Sequence, residues 1–162
     1  MKSGAPGSDQ RLTWTDNLQS TMNSDAQQVD LPEEELFYSE FEWFIGHVTS
    51  LAMDAQSCCA DQGHFNVAHE LFYFLTAPGR LIDDPRAILT AAQKEQIQLL
   101  VNLVAAIPEE ARCWATADSE SLANMQHAAW NNAREQAKVV LDALAPISIK
   151  MDEYYSRSAT QN

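Results

Sequence analysis

The feature that most limits what this chain can become is an apolar stripe: Phe37, Phe41, Phe44, Val48, Leu51, Ala55 and Cys58, at successive spacings of 4, 3, 4, 3, 4 and 3. Only an α-helix returns side chains to one face at that interval, because about 3.6 residues complete a turn. Leu31-Pro32-Glu33-Glu34-Glu35 stands at its head. Proline fits a first helical turn and the three acids face the positive end of the macrodipole, so this is a helix start. Gly63 is expected to end or bend the helix.

The remaining pattern is also helical. A second helix, from about residue 64 to 75, carries Phe65, Ala68, Phe72 and Leu75 on one side. Val67, Leu71 and Phe74 fall on other sides, so it is expected to be central and mostly buried. Thr76-Ala77-Pro78-Gly79 and Asp83-Asp84-Pro85 mark a loop. Thr90 caps the next helix, whose inward face is Ile97, Leu100, Val101, Val104 and Ile107. Pro108-Glu109-Glu110 opens a short turn through Trp114.

Asp118 or Ser119 starts the last long helix, with Leu122, Met125, Ala129, Ala133, Ala137, Val140 and Leu144 inward and an expected end before Pro146. Residues 147–162 hold Ile147, Ile149, Tyr154 and Tyr155, then a polar end expected to fray. Residues 1–8 read as a disordered tail of Gly, Pro and Ser, and residues 9–30 as a weak helix or linker on Trp14, Leu18 and Met22. Residues 31–162 read as a single helical domain. With no alternating strand pattern and no repeat, the expected fold is all-α, a compact bundle of four to six helices with a disordered N-terminal tail and a frayed C-terminus.

Charge narrows the functional classes. The net charge is −13, and residues 12–79 hold eleven acids without a single Lys or Arg. Such a surface cannot displace counterions from phosphates, so direct nucleic-acid binding is not expected, nor is docking on an anionic membrane. A secretory signal needs roughly 7–15 apolar residues near the start, and none follows Lys2. Three cysteines, two of them the adjacent Cys58 and Cys59, make no disulfide framework. A reduced, soluble, cytoplasmic protein is the expectation.

Catalytic chemistry finds little purchase. Cys58 and Cys59 sit late in the long helix, in the acidic half, where the field raises a thiol pKa; they read as small core hydrophobes. Cys113, beside Arg112, is better placed but belongs to no pattern. The glycines are isolated, so no phosphate loop is present. His64 and His69 are five apart and nearly opposed on a helix.

His127-Ala128-Ala129-Trp130-Asn131 resembles the paired-histidine helix of the DinB-like metalloproteins, with Asn131 in place of the second histidine. The resemblance implies a four-helix bundle and a divalent metal held by His47, His127 and Asn131. That is the alternative to a chain with no cofactor and no enzymatic activity.

The leading expectation lies on the surface. Ten of the fourteen aromatics fall within residues 12–79. Tyr38, Trp43 and Tyr73 are not clearly inward and lie among Glu34, Glu35, Glu42, Asp54 and Glu70. Aromatic anchors rimmed by charge of one sign suit an interface for an oppositely charged protein. The expected function is therefore neutralising or regulating a partner by covering its basic surface, as an immunity protein, antitoxin or DNA mimic covers a nuclease or another nucleic-acid-binding protein. Self-association through the aromatic helices, as a homodimeric adaptor, is a third possibility.

Overall fold

The computed structural model describes residues 32–63 and 65–160, all within one compact unit, Pro32–Asn162. The expectations for residues 1–8, for 9–30 and for His64 lie outside the described residues. Those residues form seven α-helices: α1 Glu33–Ala52, α2 Ala55–Asp61, α3 Val67–Thr76, α4 Arg80–Asp83, α5 Ala91–Ala105, α6 Asp118–Gln126 and α7 Asn131–Thr160. Single 3₁₀ turns stand at Glu109–Ala111 and Ala128–Trp130, and no strand occurs among them. No helix among the described residues is long and apolar enough to cross a membrane.

The four longest helices close a ring in which α1 packs on α7, α7 on α5, α5 on α3 and α3 on α1. The short helices α2 and α6 pack on each other at one end and reach α1 and α3. The core is the bundle's shared apolar face: Phe41, Val48 and Leu51 of α1, Leu71 and Leu75 of α3, Ile97 and Leu100 of α5, and Val140 and Leu144 of α7 are all buried. The Thr90 cap closes as a full capping box, its hydroxyl accepting from Gln93 N–H (3.2 Å) while the Gln93 side chain accepts from Thr90 N–H (2.9 Å).

The turn after Pro108 stops at Ala111 rather than Trp114, the expected loop before Thr90 contains the single-turn α4, and three helix boundaries also differ from the sequence expectation. The first helix does not run to Gly63. Met53 turns extended and Asp54 starts α2, its carboxylate accepting from the backbone N–H groups of Gln56 and Ser57 at 3.0 Å each and from the Ser57 hydroxyl at 2.6 Å. The stripe survives the break, since Cys58 is still buried.

The second helix begins only at Val67, after Asn66 in a left-handed conformation (φ 42°). Phe65 therefore precedes it and is exposed, and the inward face is Val67, Ala68, Leu71 and Leu75. Phe72 is half-buried, and Tyr73 and Phe74 are exposed, so α3 is less buried than expected.

The last helix is interrupted at His127–Trp130 and then passes straight through Pro146 to Thr160. An interior proline forfeits one backbone bond and crowds the carbonyl four residues back, about 3 kcal/mol in an isolated helix. Burial of Ile147, with Met151, Tyr154 and Tyr155 packed on the core beyond it, offsets that. The interruption has its own anchor. Trp130 is fully buried, and its indole N–H donates to the Ala111 carbonyl at 3.0 Å.

Candidate functional site

The outer side of α1 carries one of the two most exposed aromatic side chains among the described residues. Trp43 is 66% exposed, and one turn later His47 is buried beside it. The His47 Nδ1 donates to the Trp43 carbonyl at 2.7 Å, which locks the imidazole to the helix. The two rings are near-parallel, 6.0 Å apart. Phe74 of α3 completes a triangle, 4.5 Å from His47 and 6.4 Å from Trp43, and Tyr73 meets Phe74 edge-on at 5.4 Å. Packing of α3 on α1 brings these rings together, while Tyr73, 66% exposed, stays on the outside.

Trp43 and His47 form the wall shared by two cavities. Toward α3 lies a cleft of about 290 Å³, lined by Phe44, Phe74, Ala77 and Pro78 together with Ser39, Glu40 and Gly79. On the other side lies a groove of about 460 Å³ lined by Glu42, Gly46, Ser50, Asp61 and Gln62. The cleft is the more apolar of the two, with one acid, Glu40, in its lining, and the groove carries two, Glu42 and Asp61. Inside the groove the Ser50 hydroxyl is in close contact with the Asp61 carboxylate, and the Gln62 amide donates to Ser50 Oγ at 2.7 Å. Asp61 thus engages Ser50, and His47 Nδ1 engages the Trp43 carbonyl.

A second aromatic group continues the surface along α3. Phe65 and Trp114, both more than half exposed, meet edge-on at 5.9 Å, and His69 lies 5.4 Å from Trp114. His69 and Tyr73 are four residues apart on α3 and share a face. The 113–115 segment that holds Trp114 is pinned from two sides. The Asn124 amide donates to the Cys113 carbonyl at 2.7 Å, and the Asn66 side chain accepts from Ala115 N–H at 2.6 Å. Arg112 stacks 4.0 Å over Phe72 at the edge of this strip.

The residues nominated from sequence separate into groups. Trp43, Tyr73 and Glu42 are exposed and belong to the aromatic surface or its grooves. Glu35 and Glu42 also act on α7: burial first, then the charges of Glu42 and Glu35, push the Tyr155 phenol pKa up. Glu34 is exposed near Tyr38, whose own pKa is raised by burial and then by Glu34.

Tyr38 itself needs correction as a surface anchor. It is 5% exposed, packed against Phe37 at 5.5 Å and Tyr154 at 5.1 Å, because α7 covers this flank of α1. Asp54 is exposed, but its carboxylate is committed to the start of α2; the hydrogen bonds from Ser57 hold it below the ordinary aspartate pKa.

The residues of the metal alternative lie differently from the paired helix that the resemblance implies. His127 and Asn131 do not share one helix: His127 is extended (ψ 135°) between α6 and the 3₁₀ turn, and its Nδ1 accepts from Ala129 N–H at 3.2 Å. Asn131 opens α7 and accepts from Arg134 at 3.3 Å. The spacing of four therefore no longer sets their side chains on one face. Among the described residues no three His, Cys, Asp or Glu side chains are grouped to hold a metal ion. Cys58 and Cys59 are buried, and burial together with the neighbouring Cys59 pushes the Cys58 thiol up to about 12.

Gly46, Phe74, Phe65 and Trp114 were not singled out from sequence as site residues. One signal for Phe74 was available. Phe72, Tyr73 and Phe74 are consecutive, and at about 100° per residue three neighbours on a helix cannot all face one core. Against protein-family models, curated proteins and solved structures the chain gives no match.

Proposed function

We propose that this chain is a non-catalytic binding protein that docks a basic surface of another protein on the α1–α3 face, neutralising or regulating that partner by covering it. A nuclease or another nucleic-acid-binding protein has the required surface chemistry. The observation that carries this reading is the pairing of exposed Trp43 and Tyr73, in a connected ring cluster with Phe74, with the acids of the adjoining groove. Large contiguous aromatic exposure rimmed by polar groups is the physical make-up of an interface. Residues 12–79, which supply α1, α2 and α3, hold eleven acids and no Lys or Arg.

The test is capture from an extract of the native host at low salt, with the wild-type chain, Trp43→Ala and Tyr73→Ala immobilised in parallel. A basic protein retained by wild type, released by a salt step and lost from both variants supports the reading. Equal retention by all three baits, or retention indifferent to salt, overturns it.

A further inference from the structure

Gly46 lies in the interior of α1, where glycine is about 1 kcal/mol worse than alanine. The fold gives no steric reason for it, because a Cβ built there meets nothing within 4 Å. What the missing side chain does is leave open the groove between Glu42 and Asp61, directly beside the indole of Trp43. On Trp43's other side the cleft is walled by Phe44, Phe74, Ala77 and Pro78. Trp43 thus stands between a slot with two carboxylates and a cleft walled mainly by apolar side chains.

Resting on the function proposed above, we infer that Trp43 is the stacking platform for one arginine side chain of the partner, and that the neighbouring aliphatic side chain of the same segment fills the apolar cleft. Charge complementarity identifies the occupant, since Glu42 and Asp61 line the slot and residues 12–79 supply no Lys or Arg. Arginine is favoured over lysine on shape and hydration. Its planar guanidinium stacks on an indole while its edge donates to carboxylates, whereas an ammonium is compact and strongly hydrated. The cleft of about 290 Å³ is lined mainly by apolar side chains and suits an aliphatic group next to that arginine. Trp43 sets the register between the two.

The probe is a blocked Gly-Leu-Arg-Gly peptide, with citrulline and lysine analogues in place of arginine and an octa-arginine control. Each is titrated into isotope-labelled full-length chain and followed by nuclear magnetic resonance at the Trp43 indole and the Gly46 amide. The arginine peptide is expected to shift both signals saturably, and the citrulline peptide neither. Trp43→Ala is expected to weaken binding about tenfold, the loss of one partly desolvated cation–π stack. Gly46→Leu, which keeps a helix-forming residue, is expected to abolish the shifts.

Equal shifts with arginine and citrulline overturn the inference, as do shifts indifferent to both substitutions. If octa-arginine or the host partner still binds this face in a salt-dependent way without involving Trp43 and Gly46, the arginine slot fails and the docking face stands. If no basic probe or partner binds at all, both fail.

Discussion

Substituting Gly46 separates what the fold needs from what the surface needs. The residue is exposed within α1, its Cβ position is open, and the Ser50 hydroxyl lies 3.1 Å from the Gly46 carbonyl, a main-chain group that any residue keeps. Gly46→Ala therefore adds helix propensity and narrows the unfolded ensemble without a clash. The expected gain is about 1 kcal/mol, or roughly 2–4 °C in Tm for a chain of this size.

Gly46→Leu should be no less stable than wild type, yet its side chain projects into the groove lined by Glu42 and Asp61 and should abolish partner retention. Urea unfolding followed by far-ultraviolet circular dichroism reads the first effect, and low-salt capture reads the second. A destabilised Gly46→Ala would mean that the fold itself requires glycine, and the reasoning from an open groove would collapse. A Gly46→Leu chain that retains the partner as wild type does would remove the groove from the interface.

Three further outcomes are expected. Trp130→Ala should cost about 3–5 kcal/mol in denaturant unfolding, because it empties the largest fully buried side chain and leaves the Ala111 carbonyl without its donor. A loss well under that range would show that the 128–130 turn is not a core anchor. The lowered pKa of Asp54 makes its contribution to stability present above the ordinary value of 3.8 and lost as pH falls through the lower folded value. The stability difference between wild type and Asp54→Asn should accordingly shrink on acidification; a difference constant with pH would deny the charged cap. In a native thiol assay at pH 8 only the exposed Cys113 should react promptly, with buried Cys58 and Cys59 reacting after unfolding. Fast reaction of all three would contradict their burial.

The sequence was most legible where one physical rule acted alone. The stripe from Phe37 to Leu51 and the cap at Thr90 are read directly from the sequence, and both are realised, the cap closing further into a box with Gln93. It was least legible where a local signal met tertiary packing. The stripe continues through Ala55 and Cys58 and so concealed the break at Asp54, although Asp54 followed three residues later by Ser57 is itself a capping signal. Pro146 reads as a stop, and the packing of Ile147, Met151, Tyr154 and Tyr155 beyond it carries α7 onward.

Tyr38 follows Phe37 directly and one face cannot bury both, but α1 is packed on two flanks, by α3 and by α7. Which flanks are covered is a property of the assembled bundle. The site shows the same division. Trp43 and Tyr73 could be picked out along the chain, whereas Phe74 meets Trp43 only when α3 is laid beside α1, and Gly46 opens a groove only because Asp61 and Gln62 at the end of α2 stand against α1.

The association rate of the captured partner, measured across ionic strength for wild type and for Glu35→Lys combined with Glu42→Lys, bears most directly on the acidic docking face. Complementary charge accelerates encounter and salt screens it. The wild-type rate constant should fall steeply as salt rises. The doubly reversed variant should associate at least about tenfold more slowly at low salt while its circular dichroism is unchanged. A rate constant flat with ionic strength and equal for the two chains would contradict a docking face built on charge.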